Sequence, residues 1–169
     1  MIPHSRPSIE AEDIRAAVEV LQSRQLAQGS QVEQFERGMA AYFGLSGGVA
    51  VTSGTAALEV ALRAMGIGSG DEVILPSYVC AAPLLAIQRV GAIPRVVDID
   101  LASFNMDPSA AQEARTSRTK ALIVPHLFGL PADLTALERL GIPIIEDCAQ
   151  TLGAIEQGRP VGSIGLVTI

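Results

Sequence analysis

The chain has 169 residues, 49% of them hydrophobic and 18% charged, with a net charge of -6 and an isoelectric point near 4.8. That length and balance support one packed domain and exclude a disordered chain. The acidity excludes a general nucleic-acid binder, which carries a basic face, and no apolar run nears the roughly 18 residues of a membrane span.

The opening Met1-Ile2-Pro3-His4-Ser5-Arg6 lacks the apolar core of a signal peptide. Cys80 and Cys148 sit in apolar or strand-end contexts, which predicts reduced core thiols rather than a disulfide framework. Cytoplasm is the expected compartment. A mean hydropathy of +0.36 exceeds what a solvated monomer needs and points to a buried subunit interface.

In chain order, Ser8 is the expected cap of a helix with Glu10, Glu12 and Asp13 in its first turn and Ile14, Val18 and Leu21 on one face. Ser30 starts a second helix, striped by Val32, Phe35, Met39 and Phe43. Residues 1–47 thus read as an N-terminal helical arm, and 48–169 as an α/β unit. There the pattern predicts strands at 49–52, 73–76, 93–99, 121–125 and 142–146, with helices at 55–65, 78–90, from 107 onward, and at 133–140. Pro83 fits an early turn, Pro108 a first helical position, and Gly141 a helix stop. Continuously apolar strands alternating with helices argue a mainly parallel sheet covered on both faces. Near the end, Glu156-Gln157-Gly158 reads as a hairpin turn, and 165–169 begins a further strand.

Three stretches carry chemistry. In Thr52-Ser53-Gly54-Thr55-Ala56-Ala57-Leu58, small residues stand at a helix start, where free amides and the dipole favour an anion such as phosphate. Simple capping by Ser53 or Thr55 is the equal alternative. In Ile144-Ile145-Glu146-Asp147-Cys148-Ala149-Gln150, a buried strand ends in a carboxylate with a carboxamide three residues on. Such an acid can hold a protonated ring nitrogen, as pyridoxal phosphate requires, or it can satisfy loop amides. In Pro76-Ser77-Tyr78-Val79-Cys80, either Tyr78 or Cys80 could wall one face of a flat cofactor, with ordinary packing as the alternative. His4, Asp98 and His126 read as structural, and no spacing suggests a metal site. The chain has no G-x-G-x-x-G turn and no Gly-rich loop ending in Lys-Ser/Thr, which argues against an ordinary nucleotide-binding domain.

Together, the motifs S-R-P, T-S-G-T-A-A-L, G-D-E-V-I-L-P-S-Y, G-A-I-P-R-V-V-D-I-D, N-M-D-P, R-T-K-A-L-I-V-P-H-L-F-G-L-P-A-D, I-I-E-D-C-A-Q and G-R-P-V-G-S-I-G resemble the DegT/StrS-type sugar aminotransferases over nearly the whole chain. The resemblance implies the aspartate-aminotransferase fold (fold type I) and the cofactor pyridoxal 5'-phosphate. It matches Gly54, Thr55 and Ala56 to the phosphate loop, Asp147 to the acid on the pyridine nitrogen, and Gln150 to the side chain near the phenolic oxygen. It puts Cys80 where the family usually has a stacking aromatic.

The implied reaction moves an amino group from an amino acid such as glutamate to a nucleotide-linked keto-sugar, in a homodimer. In the family, the Schiff-base lysine follows the last strand seen here. The sole lysine, Lys120, precedes its strand and belongs at the far end of the sheet from Asp147. The expectation is therefore an incomplete large domain, with no catalytic residue of its own and the small domain absent. The rival expectation is a non-catalytic remnant that serves as a binding or interaction module. In either case residues 49–52 should lack a pairing partner.

Overall fold

The computed structural model describes residues 6–169, so His4 lies outside the described residues. Helix α1 (Ala11–Ser23) is capped at Glu10 rather than Ser8. The Asp13 carboxylate accepts the Glu10 N–H at 2.8 Å, half of a capping box, and this fixes the start two residues later than the serine suggests. None of the residues of α1 is buried, and Ile14, Val18 and Leu21 are all exposed. Helix α2 (Ser30–Phe43) buries Ala40 and Phe43. It stops at Gly44, whose φ of 69° releases the chain.

Residues 49–52 do not form the expected strand. The Ala50 N–H donates to the Glu36 carboxylate of α2 at 2.8 Å, and Val49 is 75% exposed. A strand exists only where a neighbour completes its ladder, and no strand among the described residues hydrogen-bonds to this segment.

The body is a parallel sheet. Helix α3 (Gly54–Ala64) leads to β1 (Glu72–Pro76), α4 (Ala81–Arg89), β2 (Ile93–Val97), α5 (Pro108–Ala114), β3 (Thr119–Pro125), α6 (Leu134–Glu138) and β4 (Ile144–Asp147). A short hairpin follows, β5 (Ile155–Glu156) with β6 (Arg159–Pro160), and then β7 (Val167–Thr168). The order is β2-β1-β3-β4-β7, with every pair parallel. Gln157 and Gly158 turn the hairpin at φ 48° and 83°, a pair of left-handed residues suited to a two-residue loop.

Strand alternation builds the core on both faces. Val73, Leu75, Ala121, Ile123 and Ile145 pack with Leu58 and Leu62 of α3 and Ile87 of α4. Ile74, Leu122, Val124 and Ile144 pack on the other side with Ala111 of α5 and Leu134 and Leu137 of α6. Burying one such Leu or Ile contributes roughly 1.5–3 kcal/mol, so these two layers dominate the fold. Two of the helix starts in the body have a side-chain cause. Asp107 accepts the Ser109 N–H at 2.8 Å ahead of Pro108, and Asp133 accepts the Ala136 N–H at 2.9 Å. At the opposite edge from any strand terminus that could bind ligand, buried Glu72 gathers Thr116 Oγ1 and the Arg118 guanidinium, both at 2.6 Å, with Arg95 at 3.4 Å. No described helix is long and apolar enough to cross a membrane.

Candidate active site

In parallel sheets, ligands gather at the carboxyl ends of the strands. Pro125 of β3 pairs with Asp147 of β4 at that edge, and β1 ends nearby at Pro76. Lys120 lies five residues back along β3 from Pro125, roughly 16 Å at the rise of a strand. It therefore occupies the far end of the sheet from Asp147.

Asp147 is half-buried, and its Oδ1 accepts the Ala149 N–H at 3.1 Å. Both readings of this acid are thus compatible, since one oxygen serves the loop and the other has no side-chain partner among the described residues. Gln150 is exposed. Its carbonyl oxygen accepts the Phe128 N–H at 3.2 Å, which leaves the amide NH₂ as the group it can offer. The turn after β3 also brings Phe128 to Tyr78. Tyr78, Phe104 and Phe128 form a triangle with ring centroids 5.6–6.2 Å apart, and all three are exposed. The segment leading to Cys80 therefore stands at the same edge as Asp147 and Gln150.

Cys80 is exposed and caps α4 without a side-chain hydrogen bond. This corrects the expectation of two core thiols. Helix α4 begins only at Ala81, so the preceding residues form an open turn and the thiol projects from its end. Cys148 is the core thiol. Burial pushes it up to about 12, with the nearby Glu146 and Asp147 charges adding to the effect.

At the start of α3, Ser53 Oγ accepts the Ala56 N–H at 3.2 Å. Capping therefore occurs, and the Ala56 donor is spent on it. The Gly54 and Thr55 amides fall in the first turn, which has no intrahelical acceptor. A Cβ added at Gly54 would meet nothing within 4 Å. The chain's own packing does not require glycine there, and the amide stands open to a ligand.

Sequence reasoning passed over Glu146. It is fully buried one residue before Asp147. Its carboxylate accepts the His126 Nε2–H at 3.3 Å, the Gly162 and Ile164 N–H groups at 2.8 Å each, and the Gly165 N–H. The other ring nitrogen of His126 accepts the Ala132 N–H at 3.0 Å, so the ring is neutral and its proton is on Nε2. Burial raises the Glu146 carboxyl, but the His126 bond and the three amides outweigh it and hold the group below the ordinary carboxylate value. The available signal was a lone acid inside an apolar strand, which must find partners when buried. His126, Glu146 and Cys148 place donor atoms within 4.8 Å of one another. Both His126 nitrogens and both Glu146 oxygens are already engaged within the protein, so these two side chains serve the fold.

An apolar groove of about 370 Å³ opens between α2 and β7, lined by Phe35, Met39, Phe43, Val49, Gly54 and Ile169 among others. Cys80, Asp147 and Gln150 do not line it. It is the gap between β7 and the unpaired residues 49–52, and only its Gly54 corner belongs to the candidate site.

The sequence profile of the DegT/DnrJ/EryC1/StrS aminotransferase family matches residues 7–169. The 3-amino-5-hydroxybenzoate synthase of Amycolatopsis mediterranei (strain S699) is 44% identical over 140 residues, 80% of this chain and 36% of that protein. The dTDP-3-amino-3,6-dideoxy-alpha-D-galactopyranose transaminase of Aneurinibacillus thermoaerophilus is 43% identical over 150 residues, 86% of this chain and 41% of that protein. Among solved structures, S. venezuelae DesV in complex with a ketimine intermediate superposes with a TM-score of 0.81 at 41% identity, covering 90% of this chain and 43% of that one. The chain spans about two-fifths of the length of the curated relatives it matches.

Proposed function

The chain belongs to the DegT/DnrJ/EryC1/StrS aminotransferase family, with the α/β sheet of fold type I, and from that premise we propose that it supplies the pyridoxal-phosphate wall of a sugar aminotransferase. The observation that carries this reading is the pairing of Asp147 and Gln150 at the carboxyl edge of the sheet, each with a polar atom to spare. When bound, pyridoxal phosphate supplies an electron sink for chemistry at the carbon next to the transferred nitrogen.

The residues fit that group by their own geometry. Asp147 keeps a carboxylate oxygen for a protonated ring nitrogen, a charge-assisted hydrogen bond. Gln150 offers its NH₂ to the phenolic oxygen, its carbonyl being held by Phe128. The Gly54 and Thr55 amides, with Ala56 continuing the helix behind them, receive the phosphate at a positive dipole end. Cys80 lends a soft contact to one ring face in place of an aromatic. Lys120, at the other end of the sheet, takes no part, so these residues hold the cofactor by non-covalent contacts alone. The substrate is a nucleotide-linked keto-sugar, in keeping with the dTDP-linked amino sugar in one relative's name, and the amino donor is glutamate. The working assembly is a homodimer.

Titration with pyridoxal phosphate, followed by absorbance and equilibrium dialysis, tests the reading. Saturable binding is expected, weakened about 10- to 100-fold in Asp147→Ala, the span of a hydrogen bond to a charged group. Borohydride treatment should leave Lys120 unmodified. Equal affinity in Asp147→Ala, or a reduced adduct on Lys120, would overturn it.

A further inference from the structure

We infer that Glu146 is a positioning residue that sets the aim of Asp147, an inference that rests on the reading of Asp147 as the partner of a ring nitrogen. Strand alternation sends the two neighbouring side chains to opposite faces. Glu146 is sealed beneath the edge, while Asp147 stands half-open at it. Glu146 therefore acts through its neighbour rather than by touching a ligand.

The coupling runs along both flanks of Asp147. On the β7 side, the Glu146 carboxylate holds the Gly162, Ile164 and Gly165 amides of the turn that feeds β7. That turn delivers Ile169, whose N–H donates to the Glu146 carbonyl at 2.8 Å and whose carbonyl accepts the Cys148 N–H at 2.7 Å. These two bonds bracket the Asp147 backbone. On the β3 side, the Glu146 carboxylate holds the His126 ring, and the His126 N–H donates to the Asp147 carbonyl at 3.1 Å. The Thr151 hydroxyl closes the segment by donating to the His126 carbonyl at 2.6 Å. One buried carboxylate thus fixes both strands that flank the acid.

The turn cannot simply relax onto another acceptor. A Cβ at Gly165 would lie 2.9 Å from the Ile144 carbonyl oxygen and 3.0 Å from Glu146 Cγ, so the backbone is already in close contact with β4. Glu146→Gln replaces one acceptor oxygen by an NH₂. That group then faces N–H donors, and the turn and the His126 ring lose their common anchor.

The test compares two ligands by equilibrium dialysis on the full chain: pyridoxal phosphate, and an analogue whose ring nitrogen is replaced by carbon. The wild type should bind pyridoxal phosphate at least about tenfold more tightly than the analogue, the span of one charge-assisted bond. Glu146→Gln should bring that ratio to within about twofold of unity with the analogue's own affinity little changed, because the phosphate contacts on α3 are untouched. In an Asp147→Asn background, Glu146→Gln should leave the ratio where it is. Should Glu146→Gln fail to fold by circular dichroism, His126→Asn removes a single donor from the carboxylate and decides by the same ratio. A retained wild-type ratio overturns the inference, and so does an equal loss for both ligands, which a merely structural role would give. A wild-type ratio near one instead overturns the reading of Asp147, and the inference with it.

Discussion

Gly162→Ala should be among the most damaging single-methyl changes in the molecule. Gly162 sits at φ 93°, and a Cβ there would overlap the ring of Phe43 and lie 3.0 Å from Thr168 Cγ2. A left-handed residue with a side chain costs roughly 1–2 kcal/mol, and forcing a carbon into a filled space adds about 1–3 kcal/mol. The sum is roughly 2–5 kcal/mol, a large share of the 5–15 kcal/mol typical of a domain. Gly158→Ala separates the two terms, because Gly158 has φ 83° with nothing within 4 Å of the added carbon. It should cost only the backbone part, about 1–2 kcal/mol. Urea unfolding of both variants supplies the measurement, read as a shift in midpoint at constant slope. Equal costs for the two variants, or a Gly162→Ala cost below about 0.5 kcal/mol, the level of an ordinary surface change, would refute the packing of Phe43 against the turn that holds Glu146.

The Glu72 carboxyl is held below its ordinary value of 4.5 first by the Thr116 hydroxyl, against the opposing effect of burial, and then by Arg118 and Arg95. A depressed acid stabilises the fold fully above its unfolded pKa, and that contribution is lost as pH falls through the folded one. Glu72→Gln should therefore lower the thermal midpoint at pH 7 and do so less at pH 3; an equal effect at both would count against the cluster. Cys80 should react with a thiol reagent in the native protein, while Cys148, buried and pushed up to about 12, should react only after denaturation. Two fast thiols under native conditions would contradict that placement. Thr151→Val removes the bond to the His126 carbonyl and should cost about 1–2 kcal/mol in urea unfolding; no loss would mean that this bond does not hold the segment.

The strands expected at 73–76, 121–125 and 142–146 were legible because each is an apolar run long enough to cross a buried sheet, though the last begins at Ile144 and includes Asp147. Residues 49–52 look the same in sequence but are not a strand, because a strand needs a neighbour as well as a pattern. The cap of α1 moved from Ser8 to Glu10 because Asp13 reaches back to the Glu10 amide, a choice that propensity alone does not rank. Cys80 reads as a core thiol from its apolar neighbours, yet the turn before α4 leaves it outside. The Glu146 network was invisible because its partners are 16 to 20 residues away in sequence and three of them are backbone amides, which leave no mark on side-chain identity. The proposed site rests on motifs taken jointly, since a strand-end acid or a small-residue turn alone has an ordinary structural explanation.

The most direct measurement is a crystal structure of the chain soaked with pyridoxal phosphate. The account expects the ring nitrogen on the free oxygen of Asp147, at about 2.7–2.9 Å, with the phosphate on the Gly54 and Thr55 amides. A cofactor lodged elsewhere, such as in the apolar groove between α2 and β7, with Asp147 bonded only to its own loop, would contradict it.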